Sequence, residues 1–172
     1  NFEDDRFLYS IQETQNRIIA MSLVHQRMYN TADFVAIEFK GYVSSLFENN
    51  RLFYNAQSFD INFENSTSSL LKIDIEISIP LGLIINELIT NAFKYAFVAA
   101  NSNYELKIEI KESPEYNYIF LYKDNGPGIP EELLVQPRTM GLQLVEALVE
   151  QINGTLTIDS TDGLSVSFNF HN

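Results

Sequence analysis

A change of hydrophobic period near Leu52 constrains this chain more than any other feature. Upstream, apolar side chains recur in helical steps; downstream they alternate, as strands with one buried face require. Residues 3–29 contain no Gly or Pro, and Phe7, Ile11, Thr14, Ile18, Met21, His25 and Met28 fall at alternating steps of four and three. That spacing predicts one long helix with a heptad seam of the kind a hairpin or dimer uses, and burial of His25 between helices. YNTADF (29–34) ends the helix, with Asp33 as a candidate cap. A second amphipathic helix is expected at about 38–49, its apolar side formed by Phe39, Tyr42, Val43, Leu46 and Phe47.

Beyond Leu52, SFDINFEN (58–65) and TSSLLKIDI (67–75) predict short strands. A helix is expected over about 78–97, with Pro80 tolerated in its first turn. YELKIEIKE and YNYIFLYKD are two alternating strands, a loop covers 125–139, a helix runs over about 140–152, and a hairpin closes the chain. Segregated helices and mostly antiparallel strands indicate an α+β fold, a two-layer sandwich preceded by a long helix.

A length of 172 residues fits one medium domain with an appended element. The formal net charge is −12, and eleven Lys and Arg spread along the chain form no basic stripe, which argues against a nucleic-acid partner. Zero cysteines exclude disulfides, thiolate zinc sites and cysteine catalysis. No apolar run approaches a membrane span and no signal peptide is visible, so a cytoplasmic location without membrane contact is expected. The first residue is Asn1, from which a start inside a longer protein is expected.

Three stretches carry chemistry. In PLGLIINELITNAFKYAF, Glu87, Asn91, Lys94 and Tyr95 lie at i, i+4, i+7 and i+8, on one helical face beside an apolar stripe. An amide oxygen can ligate a hard cation, an amine can meet phosphate, and a carboxylate can orient water or metal. A solvated helix face is the ordinary reading of such a triplet. In YKDNGPGIPEE, Asp124 ends a strand where it can accept from an exocyclic amine, and Gly126 and Gly128 allow close approach of backbone to a flat ligand. The ordinary reading is a good turn. In RTMGLQLVEALVEQINGTLTI, Gly141 opens a helix whose free N–H groups can face phosphate.

Taken in order, these motifs resemble the ATP-binding fold of histidine kinases, gyrase, Hsp90 and the MutL mismatch-repair ATPases (the Bergerat-type fold), over about residues 52–172. IPLGLIINELITNAFKYAF and MGLQLVEALVEQINGTLTI are similar to bacterial sensor kinases related to the HWE group, and QNRIIAMSLVHQRMY resembles the end of their dimerisation segment. The resemblance implies two parts: residues 1–30 as the last part of the dimerisation segment, without its acceptor helix, and 31–172 as the ATP-binding catalytic domain. It implies ATP and Mg²⁺ as cofactors, with Asn91 and Glu87 at the metal, Lys94 at phosphate and Tyr95 beside the nucleotide. Asp124 would bind the adenine amino group, Gly126, Gly128 and Ile129 would shape its pocket, and Gly141 and Leu142 would bring a lid helix to the phosphates. Arg138 and Thr139, by position, add lid contacts to the nucleotide.

Three departures stand out. The lid between Ile129 and Thr139 is short, the chain has no Trp near the adenine loop, and DGLSVSF replaces a glycine-threonine pair, with Ser165 as a stand-in hydroxyl. The implied reaction moves the ATP γ-phosphate to a histidine outside these residues, for relay to an aspartate of a response-regulator receiver domain. A homodimer through the N-terminal helix is also implied. Alternatives are a serine/threonine kinase of anti-sigma-factor type on the same fold, or a degenerate nucleotide-binding or dimerisation module.

Overall fold

A computed structural model describes residues 2–29, 36–97, 103–115, 117–130, 132 and 139–171. Asp33 and Arg138, and the side chains of Phe7 and Met28, lie outside what it describes. The elements are α1 (Phe2–Tyr29), β1 (Ala36–Glu38), α2 (Phe39–Phe53), β2 (Ile61–Asn65), β3 (Lys72–Asp74), α3 (Ile75–Asn91), which continues as a π-helical turn (Ala92–Ala96), β4 (Tyr104–Ser113), β5 (Asn117–Asp124), α4 (Met140–Gln151), β6 (Thr157–Asp159) and β7 (Leu164–Phe170).

The main sheet has the order β2-β4-β5-β7-β6 and is antiparallel except for the β2–β4 pair. One face is apolar because alternate residues point the same way: Leu106, Ile108 and Ile110 on β4, Phe120 and Tyr122 on β5, and Leu164, Val166, Phe168 and Phe170 on β7 are all buried. Helices α3 and α4 supply the second layer through Leu81, Ile84, Ile85 and Leu88, and through Val145, Leu148 and Val149. Each such side chain contributes about 1.5–3 kcal/mol by leaving water. The result is the two-layer α+β sandwich, preceded by a long helix.

Several local expectations are corrected. The segment around Lys72–Asp74 does form a strand, but it pairs with β1 in a separate two-stranded ladder. Helix α3 begins at Ile75, so Pro80 falls past the first turn. The carbonyl that Pro80 leaves without its N–H partner is that of exposed Glu76, where water can serve it. The stretch Ile75–Ala96 is long and apolar enough to cross a membrane, but 67% of its apolar window is buried inside the domain, so its apolarity is that of a core helix.

Helix α1 also differs from expectation. Its heptad seam faces outward: Ile11, Thr14, Ile18, Met21 and His25 are exposed, His25 included. A second stripe docks on α2 and α3, with Asn16, Ala20 and Val24 buried. The two stripes interleave on one helix, and the docking stripe escapes a hydrophobicity reading because polar side chains occupy half of it. Gly82 of α3 makes the docking possible. A Cβ there would sit 2.0 Å from the Tyr42 hydroxyl, which crosses α3 to donate to the Ala20 carbonyl at 3.1 Å.

Candidate functional site

The polar face of α3 divides in two. Asn91 and Tyr95 line a cavity, while Glu87 and Lys94 turn to α1. The π-helical turn that follows Asn91 causes the split, because its wider winding resets the angular phase of Lys94 and Tyr95 relative to Glu87. Arg17 meets Glu87 in a two-pronged pair, Nε to Oε1 at 2.7 Å and Nη2 to Oε2 at 3.1 Å. The hydrogen bond to Glu87 raises the Arg17 pKa above its ordinary value, against the opposing effect of burial. Lys94 Nζ pairs with the Glu13 carboxylate one turn earlier on α1.

The cavity measures about 450 Å³, in the range of small-molecule sites. Asp124 lies at its floor, where β5 ends; Ala96, Ile129, Leu142 and Leu164 give apolar walls, with Asn91, Tyr95 and Thr139 around them. Pro127, Gly128 and Pro130 complete the side formed by the loop after β5. Asp124 is 3% exposed. Its Oδ1 accepts from the Gly126 N–H at 2.9 Å and the Leu164 N–H at 3.4 Å, and its Oδ2 lies 2.7 Å from the Tyr122 hydroxyl. A carboxylate offers about four acceptor sites, so one remains on the cavity floor for a donor from a ligand. Burial, then the Asp124 charge, push the Tyr122 pKa well above its ordinary value, so this hydroxyl stays protonated.

Two glycines hold this floor in place. Gly163 has φ +76°, and a Cβ there would come within 2.0 Å of the Asp124 carbonyl oxygen. At Gly126 a Cβ would meet that of Ala96 at 2.3 Å, so the loop lies directly on the end of the α3 continuation. Ser160 secures the next turn: its Oγ accepts from the Ile129 N–H and donates to the Ile129 carbonyl at 3.1 Å.

Helix α4 opens on the far side of the cavity. Thr139 caps it in an extended conformation, its Oγ1 accepting from the Leu142 N–H at 3.4 Å. A Cβ on Gly141 would lie 3.2 Å from Glu87 Oε2 and 4.0 Å from Asn91 Nδ2, so the glycine brings the helix start onto these two residues. Helix starts carry free N–H groups and a partial positive charge. Among the described residues no three His, Cys, Asp or Glu side chains gather into a metal cage. Glu87 and Asn91 instead supply the one or two hard oxygen donors that suit Mg²⁺, an ion that keeps water and phosphate among its ligands.

Of the residues singled out from sequence, Asn91, Tyr95, Asp124, Gly128, Ile129, Thr139 and Leu142 line the cavity, Gly126 and Gly141 abut it, and Glu87 and Lys94 face α1. Arg138 is outside the described residues. Ser165 lies next to Leu164 on β7 and alternates to the opposite face of the sheet, so Leu164 is the cavity residue of that strand. Sequence reasoning missed Gly163, Leu164, Tyr122, Glu13 and Arg17. Tyr122 was within reach, since it lies two residues before Asp124 and must share its side of the strand.

Comparison with known proteins agrees with this architecture. The family described as histidine kinase-, DNA gyrase B- and HSP90-like ATPases matches residues 76–172, and a family described as histidine kinase matches residues 1–56. The chain is similar to the histidine kinase domain of the Erythrobacter litoralis EL346 blue-light activated histidine kinase, with a TM-score of 0.77 at 18% identity, covering 92% of this chain and 74% of that one. Against the Acinetobacter baumannii histidine kinase AdeS the TM-score is 0.57 at 20% identity, covering 91% of this chain and 76% of that one. At these identities the likeness is one of fold. A type 2 DNA topoisomerase 6 polypeptide of Methanothermobacter thermautotrophicus is 43% identical over 54 residues, which are 31% of this chain and only 10% of that protein. The chain belongs to the histidine kinase-, DNA gyrase B- and HSP90-like ATPase family, as a histidine kinase in which a histidine kinase segment precedes the ATP-binding fold.

Proposed function

We propose that this chain binds Mg²⁺-ATP in the Asp124 cavity and transfers its γ-phosphoryl group to a histidine, for relay to a response-regulator aspartate. The observation that carries this reading is the buried Asp124 carboxylate, with three of its acceptor sites filled by the protein and one left on the cavity floor. An adenine amino group is the matching donor. Ile129, Leu142 and Leu164 would sandwich the base, with Tyr95 at its edge. Thr139, Gly141 and the N–H groups opening α4 would face the phosphates, with Lys94 as the mobile cation. Asn91 and Glu87 would hold magnesium, which supplies charge neutralisation as the bond between the γ-phosphorus and the leaving oxygen breaks. Phosphoryl transfer depends mainly on such positioning and charge. An imidazole nitrogen forms the new bond to phosphorus, its ring loses a proton, and ADP leaves.

His25 is not assigned as the acceptor. It is exposed on the outward seam of α1 and, at 1.5 Å per residue, lies about 12 Å further along the helix than Arg17. Residues 1–30 are read as dimerisation segment and 31–172 as catalytic domain, working as a homodimer in the cytoplasm. Calorimetric titration tests the site. Mg²⁺-ATP is expected to bind the chain, and Asn91→Ala or Asp124→Ala to abolish binding; unchanged affinity in both variants would overturn the assignment. Acid-labile phosphate on His25 after incubation with ATP would overturn the exclusion of that residue.

A further inference from the structure

We infer that α1 carries a pair of charges that imitate magnesium and phosphate, and that its docking in this register competes with Mg²⁺-ATP for Glu87 and Lys94. Glu13 and Arg17 are one helical turn apart and therefore share a face. The negative charge sits on Lys94 and the positive charge on Glu87. These are the residues that, in the proposed nucleotide site, would meet phosphate and metal; the inference rests on that reading. Each is thus matched by α1 with a group of the same sign as the ligand it would otherwise take.

Both contacts are substantially enclosed. The Glu87 side chain is 7% exposed and that of Lys94 14%, against 23% for Arg17 and 36% for Glu13. They are not the freely solvated pairs whose worth is small. Between them, Asn16 enters a buried amide network, donating to Asn50 Oδ1 at 2.8 Å and to Thr90 Oγ1 at 3.2 Å. The network fixes the register, and the charges make it selective: sliding α1 by one turn toward Lys94 would set Arg17 against that lysine. A second state therefore requires α1 to leave this seat. Linkage makes the effect reciprocal, so whatever loosens α1 tightens the nucleotide and the nucleotide loosens α1.

The test compares Mg²⁺-ATP with adenosine, which has neither phosphate nor metal, on the intact chain. Glu13→Gln is expected to tighten Mg²⁺-ATP by about five-fold or more and to leave adenosine affinity unchanged, which also shows that the pocket is intact. As a second variant, Arg17→Gln is expected to widen the ratio of ATP affinities with and without Mg²⁺. In the unaltered chain, Mg²⁺-ATP but not adenosine is expected to speed hydrogen exchange of the α1 amides around residues 13–20. Equal Mg²⁺-ATP affinity in the unaltered chain and Glu13→Gln, with no change in α1 exchange, would overturn the inference while the nucleotide reading stood. Failure of both adenosine and Mg²⁺-ATP to bind would overturn the two together.

Discussion

At the scale of single residues, the site depends on how Asp124 is held. Tyr122→Phe removes one donor from a buried carboxylate at little change in shape. It is expected to destabilise the fold by about 1–3 kcal/mol, read from denaturant unfolding, and to weaken adenosine binding. A stability equal to that of the unaltered chain would mean that the Tyr122 hydroxyl, which also lies 3.2 Å from the Leu88 carbonyl, donates there instead. Gly163→Ala places a methyl 2.0 Å from the Asp124 carbonyl oxygen at a positive φ. Loss of about 3 kcal/mol or more is expected in the same measurement, because backbone must move to accept it. Asp124 was legible in the sequence as an acid closing an alternating strand. Gly163 was not, because its neighbour across the chain, the Asp124 carbonyl, is 39 residues away in sequence and no local pattern reports such a contact.

Among elements, the α1–α2–α3 junction is held by a polar knot as well as by apolar packing. Asn50 Nδ2 donates to Asn86 Oδ1 at 3.0 Å and to the Leu46 carbonyl at 2.9 Å, while its Oδ1 accepts from Asn16 and from the Thr90 hydroxyl. Asn50 is 1% exposed. Asn50→Ala strands several buried partners at once and is expected to cost about 2–4 kcal/mol, measured by denaturant unfolding; a cost below about 1 kcal/mol would show that the knot relaxes around the gap. Periodicity revealed α1, α2, α3 and the sheet strands, because each has a clean apolar face. It misplaced the working face of α1 because Glu13, Asn16 and Arg17 dock through charge and amide contacts that a hydrophobic count ignores. It also set Glu87, Asn91, Lys94 and Tyr95 on one face, since a constant helical step cannot foresee a π-helical turn between them.

For the molecule as a whole, three tyrosines, Tyr42 and Tyr122 buried and Tyr54 half-buried, give a pH signature. Burial raises Tyr42 above its ordinary value, pushes Tyr54 up to about 12, and with the Asp124 charge raises Tyr122. An unfolded tyrosine ionises near 10, so their contribution is complete below that pH and is lost as pH rises toward the folded values. Unfolding free energy is expected to fall between about pH 10 and pH 12, less steeply in Tyr122→Phe; a flat profile there would contradict the burial described for these hydroxyls. The two-layer sandwich itself was legible, because a period switch and three ordered motifs restrict the possible folds sharply. The coupling of α1 to the catalytic face was not, since it joins residues 70 and 81 positions apart. The central claim is that the Asp124 cavity holds the base of ATP, and photo-cross-linking with 8-azido-ATP tests it most directly. The account predicts ATP-competed label on residues 124–130 or 139–142, lost in Asp124→Ala. Label confined to other segments, or unaffected by competing ATP, would contradict it.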